Sequence, residues 1–142
     1  MGLRPSGCLL GRRRGSSVME RPTVLLVEDN RLLRWCVSCA LNSGGCSVLA
    51  PETVEEALRL MPGQKFNVLV TDCRLTDGHD GFEILARIRE QYPQISSILI
   101  SAESDPQLTM RAQQAGFNVI IEKPCPVAEI VGAVHALAGV TP

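Results

Sequence analysis

The sequence has no long hydrophobic run and few aromatic residues. No stretch approaches the roughly 18 apolar residues that a membrane-spanning helix needs, because charged residues, Gly or Pro interrupt the apolar segments every few positions. The chain holds one Trp, one Tyr and three Phe. Basic clusters with interleaved aromatic residues, which are typical of nucleic-acid-binding surfaces, are therefore scarce. We expect neither a membrane protein nor direct DNA binding.

Charge is distributed unevenly along the 142 residues. Residues 1–22 carry five Arg and one Glu, a net charge of +4, whereas residues 23–142 carry 9 basic and 14 acidic residues, a net charge of −5. Residues 1–21 are rich in Gly, Ser and Arg and have no hydrophobic periodicity, so we predict a disordered basic tail. Residues 22–138 are predicted to form one soluble domain, followed by a short C-terminal tail at 139–142.

A secretory signal is also missing from the N-terminus, and this bears on the cysteines. Disulfides persist in oxidising compartments. Because no secretory signal is found, we predict a cytoplasmic protein whose cysteines are reduced thiols. Most of these thiols are expected to be small core residues. The six cysteines are Cys8, Cys36, Cys39, Cys46, Cys73 and Cys125.

From residue 23 onward, short apolar runs alternate with segments of helical periodicity. This alternation is typical of an α/β fold in which helices cover a parallel sheet. Helix N-caps are predicted at Asn30, Thr53 and Asp105, with Thr53 and Glu56 forming a capping box. The predicted strands are 23–28, 46–50, 67–71, 95–100 and 117–121.

Polar side chains follow four of the five predicted strands. Glu28 and Asp29 follow the first strand, Asp72 the third, Ser101 the fourth and Lys123 the fifth. The carboxyl ends of parallel strands meet at one edge of the sheet, so these side chains are expected to converge there. This edge is the predicted functional site.

Three converging carboxylates would repel one another without a cation. Mg²⁺ prefers oxygen ligands and is the implied cofactor. A carboxylate beside such a cation can act as a nucleophile toward a phosphoryl group, while an ammonium and a hydroxyl stabilise the phosphoryl oxygens. The chemistry therefore favours an aspartyl phosphate.

Five ordered motifs carry a resemblance to a known family. Together they resemble the receiver domain of two-component response regulators, over about residues 22–138. The resemblance implies a doubly wound, flavodoxin-like receiver fold with five parallel strands in the order 2-1-3-4-5. The motifs are VLLVEDN (24–30), VLVTDCRL (68–75), DGFEILARIR (80–89), ILISA (98–102) and EKP (122–124).

The resemblance also implies roles for the polar residues at the sheet edge. Asp72 matches the phosphoacceptor, and Glu28 and Asp29 match the acidic pair that holds Mg²⁺ with Asp72. The main-chain carbonyl of Arg74 matches the family's backbone ligand for the cation. By the same resemblance, the protein is a switch and not a turnover enzyme.

Two further matches concern the fourth and fifth strands. Ser101 matches the hydroxyl that moves to the phosphoryl group, and Lys123 matches the lysine that pairs with it. The resemblance implies a cis peptide bond between Lys123 and Pro124, which an X-Pro bond tolerates at modest cost. The implied partners are a sensor histidine kinase or a histidine phosphotransfer protein, and a downstream protein target.

The sequence departs from the family pattern at three places. The loop 72–81 is one residue longer than usual, and Thr76 stands where Pro is common. Ile120 occupies the place of an aromatic residue in many relatives. Arg74 and Glu103 occupy variable positions beside the site that tune hydrolysis in this family.

Two alternatives remain open. Ile120 and the longer loop favour a receiver-like adaptor that does not switch. The segment from Trp35 to Cys39 has the W-C-x-x-C spacing of a thioredoxin active site, so a dithiol oxidoreductase using Cys36 and Cys39 is the alternative of another class. The expected position of both thiols beyond the first helical turn counts against that activity. The isolated His79 and His135 are interpreted as structural residues.

Overall fold

A computed structural model gives the structure of residues 21–75, 78–103 and 105–139. The predicted basic tail at 1–21 lies outside these residues except for Arg21, and Thr76 and most of the predicted tail at 139–142 lie outside them too. Strands and helices alternate along the described chain. They are β1 (Thr23–Val27), α1 (Arg31–Ser43), β2 (Ser47–Leu49), α2 (Val54–Leu60), β3 (Val68–Asp72), α3 (Gly81–Arg89), β4 (Ser96–Ser101), α4 (Pro106–Ala115), β5 (Val119–Glu122) and α5 (Val127–Ala138).

The strands form one parallel sheet in the order β2-β1-β3-β4-β5. This order confirms the predicted α/β fold. Its register aligns Val27 with Thr71 and Asp72 with Ile100, so β1, β3 and β4 end near the same level. The sheet therefore presents the ends of its central strands together, at one edge.

Helices cover both faces of the sheet. On one face α2, α3 and α4 pack over Leu25 and Leu69, and on the other α1 and α5 pack over Val24 and Val68. Successive side chains of a strand point to opposite faces, so neighbouring residues enter different core layers. Burial on both sides explains why these strands are continuous apolar runs.

The predicted helix caps are present. Asn30, Thr53 and Asp105 each accept a hydrogen bond from a backbone N–H in the first turn of the helix that follows. The capping box is correct in one half only, because the Glu56 carboxylate accepts from the N–H of Glu52 instead of that of Thr53. The N–H that Glu56 binds therefore belongs to Glu52, one residue before the N-cap of α2.

Four strands begin one or two residues later than predicted, and two of them, β3 and β5, begin after an asparagine that pairs with a neighbouring chain segment. The Asn67 side chain accepts from the N–H of Thr23, and β3 begins at the next residue. The Asn118 side chain accepts from the N–H of Ser97, and β5 again begins at the next residue. Each amide side chain accepts a backbone N–H of the neighbouring segment at a position just before its own strand. Hydrophobic periodicity does not reveal such a contact.

The described cysteines are free thiols in different environments. Cys46 and Cys73 are buried, Cys36 and Cys125 are half-buried, and Cys39 is exposed. As predicted for most of the cysteines, Cys46 and Cys73 are core residues and Cys125 packs against one core layer, whereas Cys39 on α1 is exposed. None of the helices in the described ranges is both long and apolar enough to cross a membrane.

Candidate functional site

The polar residues singled out in the sequence lie at the carboxyl edge of the sheet. Glu28 and Asp29 directly follow β1, Asp72 ends β3, Ser101 ends β4 and Lys123 follows β5. Edge strand β2 ends at Leu49 and supplies no ionisable group at its last residue. Parallel strand order, set by the helical crossovers, thus gathers residues separated by up to 95 positions.

An ion-pair triangle forms the centre of the site. The Lys123 Nζ lies 2.8 Å from Oδ1 of Asp72 and 3.3 Å from Oε1 of Glu28. Asp72 and Glu28 are buried, at 4% and 2% exposure, whereas the Lys123 side chain keeps 28% exposure. One ammonium therefore lies between two carboxyl groups that have little contact with water.

The three carboxylates are close enough to share one cation. Oxygen atoms of Glu28, Asp29 and Asp72 all lie within 4.8 Å of one another. Burial and, after it, the hydrogen bond with Glu28 raise the pKa of Asp72 to about 8 against the opposing effect of Lys123. An all-oxygen donor set in which a carboxylate is hard to ionise fits a hard divalent cation such as Mg²⁺.

The Lys123 ammonium is stabilised by its neighbours. Its burial opposes the charged form, but the hydrogen bond and attraction of Asp72, together with the attraction of Glu28, raise the pKa of Lys123 above its ordinary value. Lys123 therefore remains a cation beside Asp72 and Glu28.

Backbone contacts fix the first acidic residue. Glu28 Oε2 accepts a hydrogen bond of 3.0 Å from the N–H of Asn30, at the start of α1. The Arg34 guanidinium reaches back from α1 to donate 2.9 Å to the main-chain carbonyl of Glu28. Sequence reasoning missed Arg34; its position six residues after Glu28, in the first turn of the predicted helix, was the available signal.

Close packing fixes the main chain at Asp72. The Thr71 hydroxyl donates a hydrogen bond of 3.0 Å to the Asp72 carbonyl. Gly81, the first residue of α3, lies so near that a Cβ there would be 2.6 Å from the same oxygen and 2.9 Å from Leu99 Cδ1. Only glycine lets α3 approach this closely, and sequence reasoning gave Gly81 no part in the site.

Ser101 shares the edge and is buried. It lies one residue beyond Ile100, the β4 partner of Asp72, and its hydroxyl accepts 3.0 Å from the N–H of Glu103. The N–H of Lys123 donates 2.7 Å to the Ser101 carbonyl. The hydroxyl is thus held against the β4–α4 loop, while the main chains that carry Ser101 and Lys123 are joined.

The loop after Asp72 folds back on itself. Arg74 forms an antiparallel bridge with Asp80, and the N–H of Leu75 donates 3.0 Å to the His79 carbonyl. The exposed Arg74 side chain forms an ion pair of 3.0 Å with Glu103 on the β4–α4 loop. A cleft of about 450 Å³ lies between these loops and α4.

The remaining singled-out residues lie outside the triangle. Cys36 and Cys39 lie in the second and third turns of α1, away from its N-terminus, as predicted. Ile120 is half-buried and packs against the core layer under α2, α3 and α4. His135 lies on α5, and the peptide bond between Lys123 and Pro124 is cis, as the resemblance implied.

Comparisons with known proteins agree with this architecture. Residues 24–135 match the response regulator receiver domain family. The receiver domain of HemR from Leptospira biflexa, in its non-phosphorylated form, has a similar structure, with a TM-score of 0.77 and 26% sequence identity over 86% of this chain and 98% of that one.

Curated relatives include longer transcriptional regulators. The chain is 30% identical over 117 residues to the DNA-binding transcriptional regulator NtrC of Escherichia coli (strain K12), covering 82% of this chain and 25% of that protein. It is 31% identical over 113 residues to the transcriptional regulatory protein FixJ of Rhizobium meliloti (strain 1021), covering 80% and 55% respectively. This chain thus spans about a quarter to a half of these relatives. The family match over most of the chain, with the shared fold, shows that it belongs to the response regulator receiver domain family.

Proposed function

We propose that this receiver domain accepts a phosphoryl group on Asp72 within a two-component phosphorelay. The donor is a phosphohistidine of a sensor histidine kinase or of a histidine phosphotransfer protein. The observation that carries the proposal is the buried Asp72 carboxylate between an ammonium 2.8 Å away and two further carboxylates. Buried charged groups of this kind contribute little to the stability of a fold. With the Lys123 ammonium and a bound cation, they can instead stabilise an added dianionic group.

The transfer conserves its atoms and charge. An Asp72 oxygen forms a bond to phosphorus as the bond between phosphorus and the donor imidazole nitrogen breaks, and the electron pair stays on that nitrogen. Glu28, Asp29, Asp72 and the Arg74 carbonyl are proposed to hold Mg²⁺, which neutralises phosphoryl charge when bound. The Lys123 ammonium, already beside Asp72, is proposed to pair with a phosphoryl oxygen.

Signal output is proposed to pass through Ser101 and the surface beside it. The hydroxyl oxygen accepts one described hydrogen bond, from the N–H of Glu103, and its own O–H can turn to donate to a phosphoryl oxygen. Movement of the hydroxyl would shift the β4–α4 loop and bias the surface of α4, β5 and α5 between two states. A downstream protein that prefers one state would then read the phosphorylation.

An adaptor that does not switch is the second candidate. Ile120 is half-buried in the core layer under α4, and an aliphatic side chain there cannot make the movement expected of an aromatic residue. Binding of beryllofluoride, an analogue of the phosphoryl group, distinguishes the two functions. Changed NMR chemical shifts along α4 and β5 support the switch, whereas changes confined to the site support the adaptor.

Intact-mass spectrometry tests the proposed function. The protein is incubated with acetyl phosphate and Mg²⁺, and the mass gain is compared with an EDTA control and with Asp72→Asn. Asp105→Asn is the matched control, because Asn also caps α4 and the residue lies outside the carboxylate cluster. A gain of one phosphoryl group that needs Mg²⁺ and Asp72, and survives Asp105→Asn, is expected; no gain in folded wild-type protein with either acetyl phosphate or a phosphohistidine donor would refute the proposal.

A further inference from the structure

His79 connects three parts of the fold next to the phosphoacceptor site. It lies in the loop between β3 and α3, and its side chain is 22% exposed. Its Nε2 lies 2.9 Å from Oε2 of Glu55 on α2, and its Nδ1 lies 3.0 Å from Oε2 of Glu83 on α3. Both ring nitrogens thus have a carboxylate oxygen at hydrogen-bonding distance.

This arrangement specifies the protonation state of the ring. An ionised carboxylate is only an acceptor, and a neutral imidazole carries only one N–H. Two hydrogen bonds to two carboxylates therefore require the imidazolium, in which both nitrogens donate. Consistent with this, the pKa of Glu55 is lowered, first by a hydrogen bond from its own main-chain N–H to its carboxylate and then by the one from His79.

The contacts of His79 continue to the main chain of the site. Its carbonyl accepts 3.0 Å from the N–H of Leu75, and the next residue, Asp80, bridges to Arg74. Gly78 donates to the Leu75 carbonyl within the same turn. Displacing His79 therefore displaces the strand-like segment 74–75, which includes the main-chain carbonyl proposed to bind the cation.

We propose that His79, as an imidazolium, is a positioning residue of the phosphoacceptor site. It ties the longer β3–α3 loop to α2 and α3 and thereby holds the Arg74 carbonyl in place for the cation. The inference rests on the proposed Mg²⁺ site. It gives the site a dependence on pH that comes from a residue outside the carboxylate cluster.

The charges around His79 are mixed, with carboxylates nearest. Glu55 on α2 and Glu83 on α3 contact the ring, and Arg87 on α3 attracts Glu55. Deprotonation of the ring removes one of its two donors, so either Glu55 or Glu83 loses its hydrogen bond from His79 and the contact of the loop with that helix weakens. Among the residues that the structure describes, the other charged groups that line the same cleft as His79 are Arg74, Asp80, Glu103, Asp105 and Arg111.

The first test measures protonation directly. Nitrogen-15 NMR of the imidazole rings distinguishes a doubly protonated ring from either neutral tautomer, and His135 is the internal control because these two are the only histidines. His135 Nε2 is buried without a described hydrogen-bond partner, so this ring lacks the pair of carboxylate contacts that His79 has. We expect both ring nitrogens of His79 to carry a proton at about pH 7, above the ordinary histidine pKa; a His79 ring with one N–H at that pH would overturn the proposal.

The second test measures the effect on the site. Calorimetry gives the Mg²⁺ affinity of wild-type protein, His79→Gln and the matched control His135→Gln at about pH 6 and about pH 8.5, below and above the usual histidine range. Loss of a residue that orients a ligand commonly weakens metal binding about 10- to 100-fold. His79 acts through the loop and is partly exposed, so we expect roughly a 3- to 10-fold loss in His79→Gln at the lower pH. The difference in Mg²⁺ affinity between His79→Gln and wild-type protein should become smaller at the higher pH.

A second variant guards against misfolding of the loop. Glu55→Gln changes one exposed acceptor and should reproduce part of the loss of affinity at the lower pH, whereas His135→Gln should not change it. Equal Mg²⁺ affinity of His79→Gln and wild type at both pH values would overturn the proposal. Failure of the proposed function is a separate result, because wild-type protein would then gain no phosphoryl group whatever the state of His79.

Discussion

Replacing Asp72 by Asn should stabilise the cation-free protein while it abolishes phosphorylation. A carboxylate at this buried position must lose its proton above pH 4 in the unfolded chain, whereas the folded protein retains the proton up to a pKa of about 8. The folded state thus binds more protons between these values, and the free energy of unfolding falls as pH rises through that window. Asn resembles the protonated carboxyl group and carries no such cost.

The magnitude follows from the distance between the two pKa values. About three pH units separate the ordinary aspartate pKa from pH 7, and each unit corresponds to about 1.4 kcal/mol, so the charge costs on the order of 4 kcal/mol at pH 7. The Asn amide faces the Lys123 ammonium less favourably than a carboxyl oxygen does. We therefore expect Asp72→Asn to raise the free energy of unfolding in EDTA by roughly 2–4 kcal/mol at pH 7.

Urea unfolding followed by far-UV circular dichroism measures this effect at several pH values between about 4 and 9. Wild-type protein in EDTA should lose stability across this range and level off above pH 8, whereas Asp72→Asn should show a shallower slope. Mg²⁺ at ten times its dissociation constant should return about 1.4 kcal/mol to wild-type protein and less to the variant. Parallel pH slopes for the two proteins in EDTA would refute the reasoning.

Three further substitutions test individual contacts. Gly81→Ala places a Cβ 2.6 Å from the Asp72 carbonyl oxygen. Chemical denaturation should show a free energy of unfolding lower by about 2 kcal/mol, and phosphorylation should slow. An unchanged rate and stability would contradict the packing argument. Arg89→Ala removes the guanidinium of α3 that donates to the carbonyls of Ala115 and Gly116 at the end of α4, and should cost roughly 1–2 kcal/mol in the same assay, with Arg87→Ala as the control. Trp35→Ala removes an exposed indole from α1, the helix that follows the acidic pair. It should slow phosphotransfer from a protein donor several-fold but leave phosphorylation by acetyl phosphate unchanged. Equal slowing with both donors would contradict a role of Trp35 in contacting the donor protein.

The parts of the fold that depend on local chemistry could be predicted from the sequence. Asn30 and Asp105 begin helices because their side chains accept first-turn N–H groups, and this preference needs no tertiary context. Periodicity also gave the order of elements, since buried parallel strands are continuous apolar runs. The starts of β3 and β5 were wrong because Asn67 and Asn118 pair across to another strand, a contact between distant parts of the chain.

The candidate site divides in the same way. Asp72 and Lys123 could be identified because each follows an apolar run, and parallel strands end at one edge. The supporting contacts could not be identified, because they depend on distances between elements: Gly81 matters through a close approach to a carbonyl, and His79 through carboxylates on two different helices. Such contacts leave no periodic pattern in a single sequence.

Borohydride reduction followed by peptide mass spectrometry tests the central claim most directly. Reduction converts an aspartyl phosphate to homoserine, so the modified residue can be located in the chain after treatment with acetyl phosphate and Mg²⁺. The account predicts homoserine at position 72, dependent on both reagents. Homoserine at Asp29 or Asp80 instead, or at no aspartate despite a gain of one phosphoryl group, would contradict it.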